Sequence, residues 1–170
     1  MSVVIRSIAA EEFELAGEIV VEAYRTLDDE GDEFYERELR DVAARVESGE
    51  VLVAEDDSRV VGCVTFADGP SELSEVDDPD AATIRMLGVS TAARGRGIGE
   101  LLVRECIERA RASGRRRVRL HTRTSMSAAH RLYGRLGFTR APETDWSPAP
   151  GIELLGFVLE LDPLMERPRR

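Results

Sequence analysis

The run with the clearest chemical content is Met86-Leu-Gly-Val-Ser-Thr-Ala-Ala-Arg-Gly-Arg-Gly-Ile-Gly99. An apolar stretch leads into a loop with glycines at positions 95, 97 and 99, and the last of these opens a long helical pattern. A helix start leaves N–H groups without intrahelical partners and carries partial positive charge, which together attract phosphate. Glycines at alternate positions let the backbone approach a pyrophosphate with no Cβ in the way. Arg94 and Arg96 add positive charge. The run predicts an anion site without saying which anion. A dinucleotide fold requires GxGxxG, whereas Gly95, Gly97 and Gly99 form GxGxG, and the next strand lacks the expected acid. A P-loop requires a lysine that is absent here. A glycine-rich turn packing a helix tightly on a sheet would leave the same trace.

Other reactive residue types are scattered. Cys63 and Cys106 sit in apolar runs without CxxC spacing and read as small core residues of a reducing compartment. His121 falls in a strand and His130 on a helix, with no spacing that builds a metal site or a Ser/His/Asp set, so both read as structural. Trp146 precedes the last strand in a Pro-rich segment, where it either walls a pocket or plugs the core edge.

These residues must be positioned by a strand at Val3 to Ile8 and a helix opened by Glu11 and Glu12. That helix has Phe13, Ala16, Val20, Ala23 and Leu27 on one face. A second helix carries Tyr35, Leu39, Val42 and Val46 on one stripe and ends near Gly49. Strands follow at Val51 to Glu55, Arg59 to Phe66 and Ala82 to Val89. An acidic loop, Asp68 to Asp80, separates the last two of these. Helices at Gly97 to Ser113 and Ser127 to Leu136 flank a strand at Arg117 to Thr122, and Gly151 to Leu161 holds a final strand. This order predicts an α/β protein with a mixed sheet flanked by helices, in one domain over 1–170.

The 170 residues carry a net charge of −10, which argues against nucleic acid as a partner. No segment approaches the roughly 18 apolar residues that cross a bilayer, so no membrane partner and a cytoplasmic location are expected. Acids crowd Asp28 to Glu38 and Glu72 to Asp80, and arginines crowd Arg94 to Arg123 and the C-terminal Arg-Pro-Arg-Arg. An anionic ligand near the middle of the chain and a cationic one elsewhere would suit that asymmetry, although solvated loops and arginine-capped helix ends would produce it too. Arg115-Arg-Arg117 reads as such a cap or as a further phosphate contact.

Arg94-Gly-Arg-Gly-Ile-Gly99, after a strand ending Leu87-Gly-Val89, resembles the acyl-CoA signature of the GCN5-related N-acetyltransferase superfamily. Ala129-His-Arg-Leu-Tyr133-Gly-Arg-Leu-Gly137-Phe138 resembles the same family's second motif. Two motifs in the right order are far more specific than either alone, and the element order agrees from Val3 to Leu161. The resemblance implies a mostly antiparallel twisted sheet of six or seven strands with about four helices and splayed middle strands. It implies acetyl-CoA as co-substrate and an amine as acceptor, a cationic one if the acidic run Asp28 to Glu33 borders its pocket. The backbone of Leu87, Gly88 and Val89 would pair with the pantetheine arm. Arg94, Gly95, Arg96, Gly97, Ile98 and Gly99 would hold the pyrophosphate. Tyr133 would be the general acid that protonates the departing thiolate, a fitting role for a phenol with a pKa near about 10. Exposed strand edges leave a homodimer open.

Two departures from the family pattern matter. Met126 stands where many relatives carry Asn, with Ser127 or Ser125 as a substitute contact. Thr83 stands where many carry a glutamate base. A lysine amine of pKa about 10.4 needs deprotonation at neutral pH, whereas an α-amine near about 8 needs far less help. The acceptor is therefore a low-pKa amine, or is served through water by an acid such as Asp80. The alternative is an acyl-CoA-binding regulatory module that has lost catalysis.

Overall fold

The computed structural model describes residues 2–25 and 33–162. Strand β1 (Val3–Ser7) leads into helix α1 (Phe13–Arg25), then α2 (Glu33–Arg40) and α3 (Val42–Ser48). The hairpin β2 (Glu50–Asp56) and β3 (Arg59–Ala67) follows, and the acidic loop leads to β4 (Ala81–Val89). Helix α4 (Ile98–Ala112), β5 (Arg117–Arg123) and α5 (Ser127–Arg135) complete the central part. The chain then forms β6 (Thr139–Arg140), β7 (Trp146–Ala149) and β8 (Ile152–Glu160). One eight-stranded sheet results, ordered β1-β2-β3-β4-β5-β8-β6, with β7 also against β8. The fold class is the expected one: every pairing is antiparallel except β4 with β5.

Two hydrophobic clusters cover the two faces of the sheet. Leu102, Val103, Cys106 and Tyr133 of α4 and α5 pack with Leu52, Val64, Ile84 and Leu120. Ala16, Val20, Leu39 and Val42 of α1 to α3 pack with Val51, Val53, Cys63 and Met86 on the other face. Both cysteines are buried and free, as expected of packing residues.

The predicted second helix is broken. Asp41 accepts a hydrogen bond from the N–H of Ala44 (3.2 Å) and so caps a new helix rather than continuing the old one. The break rotates the stripe, so that Val46 is exposed while Arg45 is buried at 4% exposure. The Arg45 guanidinium donates to Thr65 Oγ1 (3.1 Å) and to the Glu38 carbonyl (2.7 Å). These bonds offset the cost of burying a charge, and burial lowers its pKa. Leu27, most of the acidic run Asp28 to Glu33 and the C-terminal arginines lie outside the described residues.

Two features of β4 shape the site. Its pairing with β5 runs only from Ala81↔Arg117 to Ile84↔Leu120, so the strands part beyond Ile84. Its pairing with β3 slips between Cys63 and Thr65, and Met86 there has φ of 54°, the left-handed region that L-residues avoid. Through this bulge Met86 faces the α1 side, while Leu87 packs toward α4.

Candidate active site

The parted strands open a cleft of about 280 Å³ between β4 and α5. Leu87, Gly88 and Val89 line one wall, and because none of them pairs with β5, that edge of β4 is open to an added strand. Gly88 is required for a separate reason. A Cβ there would stand 3.0 Å from the Cα of Val20, so α1 could not lie this close to the sheet.

At one end of the cleft the glycine loop turns into α4. Gly95 and Gly97 have φ of 75° and 78°, and a Cβ on either would meet nothing within 4 Å. Glycine is therefore required by the backbone conformation, while the space around the loop stays open. Gly97 occupies the N-cap position and has no side chain to satisfy the first-turn N–H groups. That end of the cleft suits a phosphate-bearing group, and Arg94 and Gly99 line it. The Arg96 guanidinium is held by Asp56 at 2.6 Å, and Ile98 is a core side chain at 1% exposure. Only their backbone N–H groups therefore remain to serve as described for the loop.

Tyr133 reaches the cleft from α5, its ring tilted against those of Phe138 (5.5 Å) and Phe157 (6.3 Å). Burial raises the phenol pKa, so the hydroxyl holds its proton across the neutral range. Met126, buried at 8% exposure, lines the same wall. Ser127 is exposed at the first turn of α5, outside the lining.

A second, larger chamber of about 620 Å³ lies on the α2 side of the sheet. Tyr35, Glu38, Glu72, Arg123 and Trp146 are among its walls. Trp146, left between two roles by the sequence, is a wall residue, and its indole Nε1 donates to Glu75 Oε2 (3.2 Å). Arg123 sits 5.0 Å from the Tyr35 ring centroid, a cation–π contact across the chamber floor. A small cavity of about 30 Å³, the throat, shares Tyr24, Met86 and His121 with the lining of the cleft and Tyr35 and Glu75 with that of the chamber, and Arg85 with both.

The two positions considered for a proton acceptor lie elsewhere. Thr83 is buried within the paired part of β4, opposite Ala67 and Arg119, and outside the cleft lining. Asp80 precedes that paired end, its carbonyl accepting from the N–H of Arg116 (2.9 Å), and it lines neither cavity. Arg115 and Arg117 are likewise committed: Arg115 to Asp68 (3.2 Å) and Arg117 to Asp78 (3.0 Å). They tie the acidic loop to the sheet, and so explain its charge without a ligand.

The sequence named His121 and Met126 but read the histidine as structural, because Glu75 and Thr144, which it meets in space, lie far from it in the chain. The one local trace is the alternation Arg117, Arg119, His121, Arg123 along β5, whose intervening residues Val118, Leu120 and Thr122 are buried. A strand with one uniformly polar face under helices must line something other than core.

The His121 side of the throat depends on Gly156. A Cβ there would overlap Thr144 Oγ1 and come within 2.9 Å of the Ala141 carbonyl. Asp145 accepts from the N–H of Gly156 (2.7 Å) and from Arg140 (2.7 Å), which lower its pKa to about 2. Gly156→Ala is expected to destabilise the protein by about 1–3 kcal/mol through overpacking. It should also displace the 142–144 turn, whose Thr144 carbonyl holds His121. Denaturant midpoints check the first effect.

A family model described as the acetyltransferase (GNAT) family matches residues 9–138. Mycothiol acetyltransferase of Corynebacterium glutamicum (strain R) is 41% identical over 63 residues, 37% of this chain and 22% of that protein. The chain spans about a quarter of the length of the curated relatives it matches. Among solved structures, a GNAT-family acetyltransferase from Staphylococcus aureus Mu50 superposes with a TM-score of 0.76 at 16% identity, covering 95% of this chain and 100% of that one. The acetyltransferase yncA from Salmonella typhimurium, solved with its cofactor acetyl-CoA, has a TM-score of 0.67 at 24% identity, covering 95% of each chain. Among the described residues no helix is long and apolar enough to cross a membrane.

Proposed function

The chain belongs to the GNAT acetyltransferase family, and from that premise we propose that it moves an acetyl group from acetyl-CoA to a primary amine of a small molecule or peptide by direct transfer in a ternary complex. The observation that carries this reading is the pair of cavities, each of which shares lining residues with the small throat. A long acyl donor fits the cleft with its phosphates at the glycine loop, and an acceptor enters from the opposite face of the sheet. The two reactants then meet between the parted strands, where proximity replaces a second encounter.

In this reading Leu87 and Val89 hold the pantetheine arm through the open edge of β4. Arg94 and the N–H groups from Gly95 to Gly99 hold the pyrophosphate, and Tyr133 protonates the leaving thiolate. A cysteine acyl-enzyme does not suit this architecture. Burial pushes both the Cys63 and the Cys106 thiols up to about 12, so neither is a thiolate at neutral pH. Buried free thiols fit the cytoplasm as the place of action. This one domain is proposed to be sufficient for the reaction. The acceptor chamber carries Glu38 and Glu72 beside the arginines, so cationic amines are the first class to try.

Thermal unfolding with acetyl-CoA, ATP and NAD in parallel tests the reading. Acetyl-CoA at about a hundred times its Kd adds roughly 2.7 kcal/mol. That raises the midpoint by several degrees in a protein of this size. ATP and NAD should leave it unmoved. A shift with NAD or ATP but none with acetyl-CoA would overturn the assignment of the cleft.

A further inference from the structure

In the throat one titratable side chain has half of its bonding committed and half directed into the cavity. His121 lines both the throat and the cofactor cleft, with its side chain only 3% exposed. Its Nε2 lies 2.8 Å from the carbonyl oxygen of Thr144. A carbonyl only accepts, so Nε2 carries the hydrogen, and in the neutral ring Nδ1 carries the lone pair. Nδ1 faces Glu75 Oε1 at 3.8 Å, beyond hydrogen-bond length. Glu75 is itself fixed, by Arg85 Nε at 3.3 Å and by the Trp146 indole. A basic nitrogen and a carboxylate thus face each other in the lining of the throat.

We propose that His121 is the general base of the transfer and Glu75 its positioning residue, an inference that rests on the acetyltransferase reading above. An amine arriving as its ammonium is drawn to the Glu75 carboxylate and releases one proton to His121 Nδ1. The freed lone pair forms the C–N bond to the thioester carbonyl carbon as the C–S bond breaks. The thiolate leaves with the Tyr133 proton, and the N–H proton shed by the new amide restores the phenol. The imidazolium formed at His121 faces the Glu75 carboxylate, which stabilises it until its proton passes to solvent through the chamber. This arrangement supplies the base that Thr83 cannot, and it removes the restriction to amines of low pKa.

The test compares wild type, His121→Gln and Glu75→Gln in thiol release from acetyl-CoA, with a polyamine, an amino-acid ester and an amino sugar as probes. A base must be unprotonated, so wild-type kcat/KM is expected to rise with pH through an acid limb. In His121→Gln that limb should vanish and kcat should fall by about 10²-fold or more, with the acetyl-CoA-induced thermal shift retained. In Glu75→Gln the KM for the amine should rise more than kcat falls, with the acetyl-CoA-induced thermal shift retained, because the arriving ammonium loses its carboxylate. Among the described residues, the charged or titratable groups that share a cavity lining with His121 are Glu75, Arg85, Arg94, Arg123, Tyr24, Tyr35 and Tyr133, with Asp145 coupled to it electrostatically, and only Glu75 is altered. Nitrogen-15 NMR of the ring gives a readout independent of any acceptor, with the Nε2–H tautomer expected of the neutral ring. The opposite tautomer would overturn the proposal. Activity of His121→Gln within about threefold of wild type, far from the ~10²-fold expected of a base, would do so too. Absence of thiol release by wild type with every probe, together with no acetyl-CoA thermal shift, removes the acetyltransferase reading itself. Release that His121→Gln retains removes only the base.

Discussion

Tyr133→Phe is expected to lower kcat by between about 10²- and 10⁴-fold, the usual contribution of a positioned acid. Stability and the acetyl-CoA-induced thermal shift should hardly change. The substitution removes one oxygen and keeps the ring, so the contacts with Phe138 and Phe157 survive. Because burial holds the phenol protonated well above neutral pH, its loss should not remove a limb of the pH–rate profile below pH 9. Steady-state thiol release against pH, beside melting curves, checks each part. A kcat within about threefold of wild type, against a loss of at least about 10²-fold, would return Tyr133 to the core. That outcome would leave water as the source of the thiolate's proton.

Gly97→Val is expected to abolish the thermal shift with acetyl-CoA, and the comparison that gives this meaning is Gly114→Val. The two glycines stand near the opposite ends of α4 with almost equal φ, 78° and 77°, and a Cβ at either meets nothing within 4 Å. Each substitution forces a β-branched residue into the left-handed region, at about 1–2 kcal/mol. Their intrinsic destabilisation should therefore match. Only Gly97 fronts the N–H groups to which a pyrophosphate would bond, so only its variant should lose the roughly 2.7 kcal/mol of ligand stabilisation at about a hundred times Kd. Differential scanning with and without acetyl-CoA reads both quantities. Equal ligand shifts in the two variants would show that the loop is a packing device and no more.

The parts of this protein that were legible in the sequence are those whose physics is local. A left-handed turn with no Cβ, a helix start without a capping side chain and an apolar stripe every three or four residues are set within a few positions of one another. The glycine loop, α4 and the packing role of both cysteines were therefore available from residue order alone. Even local physics misled once. The stripe Tyr35, Leu39, Val42 and Val46 suggested one helix, yet Asp41 competes for the backbone and starts a second, turning Arg45 inward and Val46 out.

The throat was not legible, for a reason of distance. Tyr35, Glu75, Arg85, His121 and Leu154 come from α2, the acidic loop, β4, β5 and β8, and only the tertiary fold brings them together. His121 looked structural because nothing near it in the chain is a partner. Its two relevant neighbours, the Thr144 carbonyl and the Glu75 carboxylate, are supplied by a turn beside β8 and by a loop before β4. Sequence alone thus determined the class of fold, the family and the glycine turn that opens α4, because the patterns that carry them are set by near neighbours in the chain. The tertiary structure alone brought His121 and Glu75 together, because that depends on where β4 and β5 part and on what the remote loops deliver to that opening.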